Sequence, residues 1–159
     1  SRLAGHLDRL LPHLGSRGVD RIVGKERFLA AREEMKLVHE TRKILKDETM
    51  RIAATTVRVP VWVAHSVSVT AETERKVTVE EARRLFASFP GLKLWDDPAN
   101  RQYPMPIVAT GKDECYIGRI REDLSSDKGL TFWVVGDQLR KGAALNAIQI
   151  AELVLGVKR

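Results

Sequence analysis

The run Ala54-Thr55-Thr56-Val57-Arg58-Val59-Pro60-Val61-Trp62-Val63-Ala64-His65-Ser66 decides how this chain is read. Valines at 57, 59, 61, 63, 67 and 69 alternate with other residues. Period-2 alternation of this kind predicts strands with one buried face, here over about 51–59 and 61–70. Arg58 and His65 are set into that apolar ribbon seven residues apart. An odd spacing puts them on opposite faces of a regular strand. Pro60 lies between them and cannot donate to a sheet ladder. The reading therefore places an edge, a bulge or a break near Pro60, an irregularity that would turn both side chains toward one cavity.

Upstream of the ribbon, Phe28, Leu29, Met35, Val38, Ile44 and Leu45 recur among good helix formers and predict a long helix over about 25–46. Before it, Leu3, Leu7, Leu10, Leu11 and Leu14 predict a short helix over 2–13, followed by a loop at Gly15-Ser16-Arg17-Gly18. Downstream, a turn is expected at 71–75. Thr78 with Glu81 has capping-box spacing and opens a helix that runs to about Ser88, where Pro90-Gly91 stops it. A short strand at 92–95, a turn at 96–100 and a stiff extended loop at 103–106 come next. Strands are expected at 114–121 and 130–135. Asp137 is a plausible N-cap for a last helix over 138–155, closed by Gly156. Strands neighbour each other more often than they alternate with helices. The expected fold is therefore α+β, a largely antiparallel or mixed sheet with helices on one face. The last helix is apolar almost all round its circumference, from Leu139 to Val154, and so expects neighbours on more than one side.

At 159 residues and 43% hydrophobic, the chain is long enough to bury a core. It has no run of 18 apolar residues, so a membrane-spanning helix is not expected. A single cysteine, Cys115, excludes an internal disulfide framework and fits a reducing cytoplasm. The net charge of +6 comes from bases scattered among acids, as in Arg32-Glu33-Glu34-Met35-Lys36, with few aromatics to stack on bases. That pattern argues against nucleic acid and suits a small anionic ligand.

Several residues could carry chemistry. Glu33 and Lys36 share a helix face at i,i+3, as a solvated ion pair or as ligands. Arg58 offers a planar fork suited to a carboxylate, against the alternative of an arginine snorkelling from a strand end. His65 can act as acid or base near neutral pH, or serve packing alone. Arg119 and Arg121 point to the same side of their strand. Cys115, with no histidine nearby in sequence, reads as a buried inert thiol and not as a nucleophile. Gly142-Ala143-Ala144 at a helix start would let a ligand or backbone approach closely. His6, His13 and His39 have no metal-ligand spacing with acids or cysteines, so no metal site is expected.

A set of ordered segments carries a family resemblance: Leu11-Pro12-His13-Leu14; Glu33-Glu34-Met35-Lys36 with Glu40-Thr41-Arg42-Lys43-Ile44-Leu45; Val57-Arg58-Val59-Pro60-Val61 leading to His65-Ser66; Tyr103-Pro104-Met105-Pro106; Gly118-Arg119-Ile120-Arg121; and Trp133-Val134-Val135-Gly136-Asp137-Gln138-Leu139-Arg140-Lys141-Gly142-Ala143-Ala144-Leu145-Asn146. They make the chain resemble the C-terminal, catalytic and dimerisation part of aspartate-semialdehyde dehydrogenase, chiefly from residue 33 to 155. The segment 15–31 matches poorly.

The resemblance implies an NADP-dependent reaction that interconverts aspartate semialdehyde plus phosphate with aspartyl phosphate, on the way to lysine, threonine and methionine. By position it implies that Arg58 grips the substrate carboxylate, Glu33 its amino group and Lys36 the phosphate, while His65 is the acid/base beside a thiolate. It also implies a cytoplasmic homodimer. Residues 1–136 would form the substrate-binding and dimerisation domain. Residues 137–159 would form a helix that packs on a nucleotide-binding domain, with Gly142 and Ala143 near the cofactor. The family's nucleophilic cysteine and glycine-rich nucleotide-binding unit have no counterpart here, and no G-x-G-x-x-G follows a strand. The expectation is a C-terminal half that is inactive alone; the alternative is a non-catalytic dimerisation or ligand-binding module derived from the family.

Overall fold

A computed structural model describes residues 32–157. The expected helix over 2–13, the loop at 15–18 and the poorly matching segment 15–31 lie outside the described residues. The chain divides into two compact units, one ending at Val59 and one beginning at Pro60.

The first unit contains one described helix, α1 (Arg32–Leu45). Lys46 takes up a left-handed backbone (φ +55°) and the Asp47 amide donates back to the Arg42 carbonyl at 3.1 Å, ending the helix where it was expected to end. The chain then returns along α1 without forming a strand. Arg42 Nε donates to the Met50 carbonyl at 3.0 Å, and the Thr56 amide donates to Glu34 Oε1 at 2.8 Å. The expected strand over 51–59 is therefore corrected to an irregular ribbon pinned to a helix. Side-chain anchors from α1 take the place of a sheet partner.

The second unit is built on a four-stranded mixed sheet of β1 (His65–Glu72), β2 (Leu92–Leu94), β3 (Cys115–Glu122) and β4 (Gly129–Gly136), in the order β1-β4-β3-β2. β4 runs antiparallel to both β1 and β3, while β2 lies parallel to β3. The strand expected over 61–70 starts only at His65. Pro60 has no N–H to give, and Ala64 sits at φ +78°, so the four residues before His65 bend instead of pairing. Arg58 and His65 consequently share no strand.

Helix α2 (Val79–Ser88) opens as expected. The Glu81 amide donates to Thr78 Oγ1 at 3.1 Å, but the Glu81 carboxylate is held by Arg75 (2.5 Å and 3.0 Å) instead of reaching back to the cap. Its buried Ala82 packs with Ile120 and Leu130, flanked by Phe86, Leu94 and Phe132. A second cluster joins Tyr116 and Val135, register partners in the sheet, to Ala64 and Ala109. Ala109 belongs to a short helix, α3 (Pro106–Ala109), which starts at the last residue of the stretch read as extended loop; Pro106 occupies its first turn, where a missing N–H costs nothing. The last expected helix is present but is not uniform. A π-helical turn (Arg140–Ala144) leads into α4 (Leu145–Val154). Gly156 at φ +69° then closes it, with the Gly156 amide on the Leu153 carbonyl and the Val157 amide on that of Glu152, a Schellman pair.

One irregularity in the sheet has structural consequences. Between Gly118 and Arg121 β3 carries an extra residue relative to β4, and Arg119 adopts φ +53° there. The freed Arg119 amide donates to Asp96 Oδ1 at 2.7 Å, and Arg83 of α2 binds both the Asp96 carboxylate and its carbonyl. Asp96 is buried and fully engaged, so it fastens the bulge to α2. Gly118 lies where that loop crosses: a Cβ there would run into the Trp95 carbonyl oxygen and come within 2.7 Å of Pro104 Cδ.

Candidate functional site

Within the first unit, α1 presents Glu33 and Lys36, both exposed, with Lys36 Nζ 3.5 Å from Glu40 one turn on. Such a pair at i,i+4 on an open helix face is weak and easily exchanged for a ligand. Arg58 is exposed on the pinned ribbon, two residues beyond the Thr56 amide that Glu34 holds. The ribbon runs back along α1 from the Arg42 anchor to the Glu34 anchor, so it delivers Arg58 toward the part of the helix that carries Glu33. A carboxylate, an ammonium and a guanidinium fork are thus gathered in one unit. The hydrogen bonds that hold this segment to α1 come from Arg42 and Glu34.

Within the second unit, His65 opens β1 and is exposed, opposite Gly136 of β4. Two contacts fix its backbone. The buried Ala64 amide donates to Gln138 Oε1 at 2.7 Å, and the strand pairing to β4 starts at His65 itself. Gly136 has no side chain, and a Cβ on it would lie 2.8 Å from Cys115 Sγ. Cys115 and His65 therefore flank the same glycine across three strands, a proximity that the sequence separation of fifty residues conceals. Burial pushes the Cys115 thiol above its ordinary pKa, and the nearby Lys141 charge only partly opposes this. Cys115 is accordingly held as a neutral thiol, unlike an activated nucleophile.

Asp137 organises the start of the last helix. Its Oδ1 accepts the Leu139 and Arg140 amides at 2.8 Å and 3.1 Å, as an N-cap should, and its Oδ2 accepts the Gly111 amide at 2.8 Å. The Gly111 bond is the main reason its carboxyl is held below the usual range, with the two helix amides adding to it. Gly142 and Ala143 are exposed on the π-helical turn. A Cβ at Gly142 would meet only Gln138 Cβ at an ordinary 3.5 Å, so the chain's own packing does not require glycine there. Their neighbours are occupied: Lys141 Nζ donates to Gln149 (2.7 Å) and Asn146 (3.3 Å), and Arg140 pairs with Asp113. An open turn surface with no need of its own for glycine fits the close approach of a flat cofactor.

Glu33, Lys36 and Arg58 thus belong to the first unit, and His65, Gly142 and Ala143 to the second. Among the described residues no group of three or more His, Cys, Asp and Glu side chains converges, and no helix is long and apolar enough to cross a membrane. Sequence reading missed Gln138, which sets the His65 backbone; only the three-dimensional pairing of Ala64 with the segment after β4 reveals it.

Residues 21–141 match the family model of the semialdehyde dehydrogenase dimerisation domain. The chain is 51% identical over 124 residues to the aspartate-semialdehyde dehydrogenase of Aquifex aeolicus, covering 78% of this chain and 36% of that protein. It is 55% identical over 123 residues to that of Prochlorococcus marinus, covering 77% and 36%. Among solved structures, aspartate semialdehyde dehydrogenase II from Vibrio cholerae, complexed with ASA, superposes with a TM-score of 0.76 at 38% identity, covering 81% of this chain and 38% of that one. The chain spans little more than a third of the length of the curated relatives it matches.

Proposed function

The chain belongs to the semialdehyde dehydrogenase dimerisation-domain family, and from that premise we propose that it is the substrate-binding and subunit-pairing part of an NADP-dependent aspartate-semialdehyde dehydrogenase acting in amino-acid biosynthesis. The observation that carries this is the pinned ribbon: the Glu34–Thr56 hydrogen bond fastens the segment of Arg58 to the helix of Glu33 and Lys36. An amino acid semialdehyde and a phosphate need those three groups together. The Arg58 fork takes the carboxylate, Glu33 the ammonium and Lys36 the phosphate. His65, its backbone fixed by Gln138 and by β4, moves the proton at the reacting carbon. NADP, when bound, accepts or supplies hydride; Gly142 and Ala143 would lie against it on the open π-helical turn. Helix α4 exposes Leu153, Val154 and Leu155, an apolar surface suited to a nucleotide-binding domain. The residue 137–159 segment is the piece that makes that contact. The partner is a second copy of the same protein, in the cytoplasm.

The chain by itself turns over no substrate on this reading, because burial raises the pKa of Cys115, the one cysteine, and the Lys141 charge only partly opposes it. Steady-state kinetics of the full-length protein test the assignment. Arg58→Ala should lower kcat/KM for the semialdehyde by about a hundredfold, the worth of a charge-assisted bidentate contact. His65→Asn should lower kcat by about a hundredfold to ten-thousandfold with KM little changed. Wild-type kinetics in both variants, or phosphate-dependent NADP reduction by residues 1–159 alone, would refute it.

A further inference from the structure

A cavity of about 590 Å³ opens between the turn at 97–102 and the bulge of β3, and its lining includes Arg101, Tyr103, Arg119 and Arg121. Asp96 is the one acid in that lining. Its charge is already answered, because Arg83 of α2, outside the lining, holds its Oδ2 and the Arg119 backbone amide its Oδ1. Arg121 donates one N–H to the Arg119 carbonyl at 2.8 Å, which sets two guanidinium-bearing residues side by side. Arg121 also lies near the Asp123 carboxylate outside the lining, so the excess of positive charge rests chiefly on Arg101 and Arg119.

The backbone adds an independent observation. Among the described residues only four that are not glycine have positive φ, and two of them are Arg101 (+54°) and Arg119 (+53°). A turn and a bulge each hold arginine where glycine would relax the chain. Both belong to this cavity. The Asp96 bond holds the Arg119 backbone but does not call for arginine over glycine there, and backbone outliers of this kind cluster at binding sites.

We propose that this cavity is an anion site for a small molecule carrying clustered negative charge, a phosphate ester or a polycarboxylate, held by the forks of Arg101, Arg119 and Arg121. Planar guanidinium groups match both anions in bidentate fashion, and the volume is that of an ordinary small-molecule pocket. The site shares no residue with the set Glu33, Lys36 and Arg58, and it stands whether or not the dehydrogenase reading does.

Isothermal titration of the full-length protein with inorganic pyrophosphate, and in parallel with citrate, tests the site. The expected result is saturable binding of at least one of them that weakens about tenfold in Arg119→Gly and in Arg101→Gly, the usual worth of a hydrogen bond to a charged group. The melting temperature of both variants should hold or rise, since glycine accepts the backbone without strain. Lys36→Ala should lose only binding at the proposed substrate site and keep the component that the glycine variants lose; loss confined to Lys36→Ala would assign the binding to the proposed substrate site and overturn the anion cavity. So would the absence of saturable binding at millimolar concentration, or unchanged affinity in the glycine variants. If a glycine variant loses its melting transition, Arg121→Gln reads the same tenfold loss from a strand position of ordinary φ, and unchanged affinity there overturns the proposal.

Discussion

The ribbon 54–64 and the strand β4 have similar composition and opposite fates. Both are rich in valine and aromatic residues, yet Val57 is 74% exposed and Trp62 wholly so, while Val135 is completely buried. β4 has a strand on each side, β1 and β3, and apolar layers contributed by α2 on one flank and by Ala64 and Ala109 near its end. The ribbon has two side-chain anchors, Glu34 on the Thr56 amide and Gln138 on the Ala64 amide, with Pro60 and a left-handed Ala64. β-propensity expresses how well a side chain fits a pleated, half-buried surface, so without neighbours it builds nothing. The segment that makes the core is silent chemically. The segment that stays out of the sheet carries Arg58 and ends at His65.

If burial separates the two regions, equal truncations should cost very different amounts. Ile117 on β3, 1% exposed and paired with Val134, should lose about 2–5 kcal/mol of stability on Ile117→Ala, measured by urea unfolding. A cost below 1 kcal/mol would mean that the sheet core is looser than its packing indicates. Gly118→Ala tests the crossing of the 95–104 loop over the same strand. Its Cβ would meet the Trp95 carbonyl and the Pro104 ring, so about 1–3 kcal/mol is expected from overpacking. Thr78→Ala, which removes the α2 cap bond but no core, should cost about 1 kcal/mol.

These magnitudes also mark what the sequence could convey. The end of α1, the Thr78 cap, β3, β4 and the Gly156 stop were all legible, because each is set by local periodicity or by one residue's backbone preference. The family motifs identified Arg58, Glu33, Lys36 and His65 as candidates. The ribbon was misread because alternation in sequence does not reveal whether a partner strand exists. The bulge at Arg119 gave no local signal, since glycine and not arginine is the residue expected there. Its cause is Asp96, distant in sequence and bound to Arg83 of another element. Likewise the π-helical turn follows from Asp137 reaching both ways, to Gly111 behind it and to the Leu139 and Arg140 amides ahead.

That double reach gives a pH prediction. The Asp137 carboxyl is depressed in the folded chain, so the stability it contributes is fully present above the ordinary carboxylate pKa of 3.8 and is lost as pH falls through its lower folded value. Protection factors at the Gly111, Leu139 and Arg140 amides, taken relative to intrinsic exchange at each pH, should therefore fall together on acidification, and Asp137→Asn should remove the acid step at those amides. Protection at these three amides that does not change with pH in a concerted way would detach the turn from Asp137.

The smallest expected effect is the one that tests the comparison most directly. Val57→Thr and Val59→Thr keep β-branching and nearly keep volume while adding a hydroxyl, a change that a packed core does not tolerate cheaply. On the ribbon, where both valines are exposed, each should shift stability by no more than about 0.5 kcal/mol. The same exchange at Val135 buries an extra hydroxyl in a fully enclosed site and should cost about 1–3 kcal/mol. Were Val57→Thr to cost as much as Val135→Thr in the full-length protein and little in residues 1–159, the ribbon would be covered by something outside this chain. Its valines would then belong to an interface, and the exposed Trp62 would be the next residue to substitute.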